Sequence, residues 1–99
     1  MRWTRDQVLK VIENNRTAIK RLGVKRLGLF GSYARKTQDD VSDLDFIVEF
    51  EKKSFDVYME LKILLEELFD THVDLVLVNT IKPRLRTVIL EETVYASGF

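Results

Sequence analysis

The sequence predicts a small α/β domain: a mixed β-sheet of three to four strands with helices packed on it. Three observations carry this. Two hydrophobic runs of strand length flank a helix-length apolar stripe, and such a crossover makes those strands parallel, with a right-handed connection as the default. A third run, earlier in the chain, has strand length and strand composition. Composition agrees, since 45% hydrophobic and 32% charged residues is the balance of a globular chain.

The elements follow in order. Thr4 and Gln7 have capping-box spacing, and Val8, Leu9, Ile12, Ile19 and Leu22 recur at helical intervals up to the natural stop at Gly23. Val24 to Phe30 reads as a strand, with Gly28 marking a bulge or the close approach of another backbone. Gly31 to Ser42 is polar and aperiodic, with one helical turn expected around Tyr33-Ala34-Arg35-Lys36. Asp43 to Phe50 alternates, with Leu44, Phe46 and Val48 on one face and Asp43, Asp45 and Ile47 on the other.

Ser54 suits the N-cap of the next helix, Asp56 its first turn, and Val57, Leu61, Leu64, Leu65 and Leu68 its apolar stripe. Val73 to Val78 is rich in β-branched residues and forms the next strand. Pro83 fits the first turn of a last helix, with Leu85, Val88 and Ile89 as its buried edge, and Val94-Tyr95 adds a short strand. The first long strand pairs antiparallel with the second if Gly31 and Ser32 are to work beside Asp43.

The 99 residues suit one domain, taken here as residues 1–99. A core this small leaves a thin stability margin, so a partner subunit would be a natural support. Sixteen basic and sixteen acidic residues cancel, which gives no strong nucleic-acid or anionic-membrane signal. The absence of cysteine excludes disulfides, thiolate zinc sites and cysteine nucleophiles. With no signal-peptide pattern and no membrane-length apolar run, the cytoplasm is the expected compartment.

Chemistry concentrates in two places. Asp43 and Asp45, two apart on a strand, project from one face, where like charges repel unless a cation sits between them. Mg²⁺ suits that role, because it takes carboxylate oxygens and shares its remaining positions with substrate phosphates. Parallel pairing brings Asp74 beside the pair. It is a third carboxylate able to help hold a second ion, at the spacing of about 3.5–4 Å typical of two-metal sites, and to orient or deprotonate an attacking hydroxyl. Gly31 lets backbone approach a phosphate closely, Ser32 adds a hydroxyl and an amide donor, and Arg35 is a planar phosphate donor.

Each residue has a plainer reading. The aspartates would be a solvated strand face, Ser32 a simple cap and Arg35 a surface arginine. Asp39 and Asp40 read as turn chemistry, His72 as a bystander at a strand start, and Arg84 and Arg86 as a solvated helix face. Trp3 and Phe99 read as exposed terminal aromatics of the kind that mark docking surfaces. The glycine–serine pair and the aspartate pair occurring together favour the site.

Leu29-Phe30-Gly31-Ser32-Tyr33-Ala34-Arg35 and Ser42-Asp43-Leu44-Asp45-Phe46-Ile47-Val48 resemble the signature of the DNA polymerase β-like nucleotidyltransferases, and within them the minimal nucleotidyltransferase (MNT) branch. Lys36 departs from the glycine common after the arginine. The resemblance implies a nucleotidyltransferase fold, ATP as substrate, triphosphate held by Gly31 and Ser32, and metal on Asp43 and Asp45 with Asp74 as the third carboxylate. It also implies an antitoxin role beside an all-helical HEPN ribonuclease toxin, some relatives transferring AMP to a toxin tyrosine. Two alternatives stand beside that one: an antitoxin that only masks its toxin, and a small-molecule nucleotidyltransferase, against which the chain offers no room for a second substrate domain.

Overall fold

The structure, a computed structural model, describes residues 3–35, 43–52 and 54–99. Helix α1 (Arg5–Asn14) begins as its sequence dictates. Thr4 Oγ1 accepts from the Gln7 amide at 3.2 Å, and Gln7 Oε1 accepts from the Thr4 amide at 3.1 Å. The single helix expected up to Gly23 is instead two. Asn15 leaves helical geometry (φ −111°, ψ 14°), its Nδ2 donates to the Val11 carbonyl at 2.8 Å, and α2 (Arg16–Lys20) restarts beyond it. Asparagine side chains compete for backbone partners in this way, and the hydrophobic period does not register the break. Gly23, at φ +84°, then turns the chain into the sheet.

Strand β1 (Val24–Phe30) leads directly into the short helix α3 (Gly31–Arg35). Strand β2 (Leu44–Phe50) is followed by α4 (Phe55–Phe69), whose Ser54 cap accepts from the Val57 amide at 3.3 Å. Then come β3 (Val73–Leu77), a 3₁₀ turn at Val78–Thr80, α5 (Pro83–Glu92) with proline at its start, and β4 (Val94–Tyr95).

The sheet order is β3-β2-β1-β4, with β2–β3 parallel and the other two pairings antiparallel. The mixed sheet expected from the sequence is therefore present. Gly28 sits where β4 crosses: a Cβ there would strike the Thr93 methyl and lie 3.1 Å from the Tyr95 ring. That accounts for a glycine inside a strand.

The main core cluster lies on one side of the sheet, while Ile47 is buried on the other. Val8, Ile12 and Ile19 from the first helices meet Leu27, Leu29, Leu44, Phe46 and Val48 from the strands and Leu61, Leu65 and Phe69 from α4. Phe69 stacks near Phe46 and takes the edge of Trp3, whose Nε1 donates to the Phe69 carbonyl at 3.0 Å. Trp3 and Phe99 thus pack against the core and are not the exposed aromatics expected.

A second correction concerns α5. Leu85 and Val88 are 47% and 55% exposed, and no residue of the helix is fully buried. The helix turns Arg86, Ile89 and Leu90 inward, where they are half-buried, and rests on β1 and α3. Periodicity shows that a stripe exists, but the packing partner selects which side of it is covered.

Candidate active site

The site forms where β1 ends and β2 and β3 begin. Pairing sets Phe30 opposite Asp45 across the antiparallel ladder, and Asp45 opposite Asp74 across the parallel one. Two carboxylates and the glycine turn are thereby fixed by backbone hydrogen bonding. Asp43 stands just before β2, level with His72 just before β3, and the Leu44 amide reaches the His72 carbonyl at 3.5 Å.

Gly31 opens α3 at φ +75°, a left-handed conformation that disfavours any side chain. A Cβ there would also run into the Asp45 carboxylate, with Asp45 Cγ only 3.2 Å away. The chain needs glycine at this point for two independent reasons, and the second sets backbone against an acidic group. The far end of α3 is tied down by Arg5, whose Nη1 donates to the Ala34 carbonyl at 3.4 Å. Tyr33 and Ala34 anchor the same turn by burial.

Asp43, His72 and Asp74 form one exposed cluster, with a donor atom from each within 4.8 Å of the others. His72 Nδ1 lies 3.4 Å from Asp43 Oδ2 and 3.9 Å from Asp74 Oδ1, and all three side chains are about half exposed. Two carboxylates and an imidazole in one cluster, with Asp45 level with Asp74 on the neighbouring strand, suit a divalent cation that retains water and shares phosphate oxygens. The donor set therefore fits the metal expected from the sequence.

Of the residues read from the sequence, the structure brings together Asp43, Asp45, Asp74 and Gly31. It places Ser32 in the first turn of α3 and Arg35 at its end. The side chains of those two residues, and Lys36, Asp39 and Asp40, lie outside the described residues. His72, read from the sequence as a bystander, stands within this cluster. Its signal was register: if β2 and β3 are parallel with Asp45 level with Asp74, then Asp43 must stand level with His72.

Arg84 is exposed, while Arg86 folds back, its Nη2 donating to the Ile81 carbonyl at 3.1 Å. An apolar hollow of about 500 Å³, lined by Ser54, Phe55, Tyr58 and Leu77, lies toward the other end of β3 and away from the carboxylates.

A glycine turn leading from one strand against acidic residues on the next two, in a mixed sheet of this order, defines a nucleotidyltransferase. The chain belongs to the family described as Nucleotidyltransferase domain, which matches residues 12–96. It is 39% identical over 93 residues to Protein adenylyltransferase MntA of Thermococcus cleftensis, covering 88% of this chain and 94% of that one. Among solved structures, a toxin–antitoxin complex with AMP-PNP aligns at TM-score 0.69 and 26% identity, covering 88% of this chain and 73% of that one. The fold is also that of a Shewanella oneidensis complex of a tri-AMPylated HEPN toxin with an MNT antitoxin. That alignment has a TM-score of 0.64 and 21% identity, over 92% of this chain and 73% of that one.

Proposed function

We propose that this chain is a Mg²⁺-dependent protein adenylyltransferase that acts as an antitoxin, moving AMP from ATP to a tyrosine hydroxyl of a helical HEPN toxin. The observation that carries the reading is the register of Asp45 with both Asp74 and Phe30-Gly31, because it sets a phosphate turn and two carboxylates side by side. The names of the similar proteins support the substrate and the partner.

When bound, one or two Mg²⁺ ions neutralise triphosphate charge and fix the nucleotide against the protein. Asp43 and Asp45 supply the carboxylate oxygens for that binding. Gly31 admits the triphosphate to the backbone, Ser32 contributes its amide and hydroxyl, and Arg35 supports the phosphates. Asp74 orients the acceptor hydroxyl and takes its proton. The acceptor oxygen then bonds to the α-phosphorus, and the bond from that phosphorus to the departing pyrophosphate breaks. The protein's work is positioning and charge compensation. The half-exposed cluster matters here, since an acceptor carried by another protein must reach it from outside.

The test is protection of cells that express the toxin. The chain should protect when substoichiometric, because one catalyst modifies many toxin molecules. The Asp43→Asn/Asp45→Asn variant should bind the toxin without protecting. Full protection by that variant would replace transfer with masking.

A further inference from the structure

We propose that His72 is a metal-selecting donor, which turns a carboxylate site suited to Mg²⁺ into one that prefers a first-row transition ion such as Mn²⁺ or Co²⁺. The proposal rests on the metal-dependent reading above and adds to it a specific ion class and a specific residue.

Geometry is the first argument. Two ligands of one ion, each bonded at about 2.1 Å, stand roughly 3 to 4.2 Å apart. The separations of His72 Nδ1 from Asp43 Oδ2 and Asp74 Oδ1, 3.4 and 3.9 Å, both fall inside that window. The same separations lie within ion-pair range, so the spectroscopic readout below distinguishes ligation from simple pairing.

Preorganisation is the second. The peptide joining His72 to Val73 is held from both sides. Its carbonyl accepts from Leu44 on β2 at 3.5 Å, and its N–H donates to Glu66 Oε2 of α4 at 3.1 Å. The imidazole therefore leaves a backbone fixed by two neighbouring elements, unlike a residue in a free loop.

Donor chemistry is the third. Carboxylate and water suit Mg²⁺, whereas imidazole raises affinity for the later divalent metals. One nitrogen among oxygen donors shifts the preference without abolishing Mg²⁺ binding.

The experiment titrates metal-free protein with Mg²⁺, Mn²⁺ and Co²⁺ by calorimetry and records electron spin-echo spectra of the Mn²⁺-loaded form. The wild-type protein should bind Co²⁺ at least about tenfold more tightly than Mg²⁺ and show nitrogen coupling to Mn²⁺. His72→Ala should lose about tenfold or more in Co²⁺ affinity, change Mg²⁺ affinity less than about threefold, and lose the nitrogen coupling. His72→Asp should restore Mg²⁺ preference. Absence of nitrogen coupling in the wild type, or equal losses for both ions in His72→Ala, overturns the proposal. If Asp43→Asn/Asp45→Asn leaves binding of every ion unchanged, the underlying functional reading fails as well. Carboxylate-dependent binding without nitrogen coupling removes His72 alone.

Discussion

The two faces of strand β2 are built from alternate residues, and one is apolar throughout while the other combines the buried Ile47 with Asp45. Leu44, Phe46 and Val48 are essentially inaccessible and sit at the centre of the core. On the other face Asp45 is partly exposed and stands level with Asp74. One residue of slip would exchange the two sets, so burial of the first fixes the position of the second. The core face thus specifies the register that the acidic face uses. Stability and chemistry are coupled through the backbone and separable at the side chains.

That separation can be broken deliberately, and the largest effect should come from the acidic face. Asp43→Asn/Asp45→Asn should reduce transfer more than about 100-fold, because the charge compensation for triphosphate is removed. The same variant should melt within a few degrees of the wild type, since relief of carboxylate repulsion offsets loss of the half-exposed Asp43–His72 contact, worth about 0–1 kcal/mol. Transfer assays beside thermal melts check both halves.

Phe46→Ala tests the opposite face. It should cost about 3–5 kcal/mol, a large part of the roughly 5–15 kcal/mol that holds a domain together. Denaturant titration reads the loss. The surviving folded fraction should still bind nucleotide, because no atom of the site has been altered.

Gly31→Ala falls between the two. The left-handed backbone at φ +75° costs an alanine about 1–2 kcal/mol, and the new methyl must displace the Asp45 carboxylate. Stability should drop modestly while ATP affinity drops more, as comparison of melting with nucleotide titration will show. A loss confined to stability would detach Gly31 from the site.

The smallest effect belongs to α5. Val88→Ser should change stability by less than about 0.5 kcal/mol, because Val88 is already 55% exposed. Leu61→Ala on α4, whose stripe is buried, should cost about 2–5 kcal/mol. Chemical denaturation of the two variants gives the contrast directly.

Those two helices also show what the residues alone disclose. Both carry an apolar stripe, and both begin where serine or proline marks a start. Only α4 buries its stripe, because it bridges two parallel strands and has nowhere else to lie. The antiparallel and parallel pairings were legible for the same reason: connection length and the need to join Gly31 to Asp43 leave few arrangements. Asn15 was not legible, since its side-chain bond to Val11 is a local competition that hydrophobic period cannot see. His72 reads as a bystander from sequence because a lone histidine carries no pattern. Its setting depends on a long-range register that places it level with Asp43.

The central claim is that the carboxylates at this sheet end drive transfer of a nucleotide to a partner protein. Its most direct test is intact mass measurement of the proposed helical HEPN partner after incubation with this chain, ATP and Mg²⁺. Mass should be gained in whole AMP units with the wild-type protein and not with Asp43→Asn/Asp45→Asn. An unmodified toxin that is nevertheless neutralised would contradict the account.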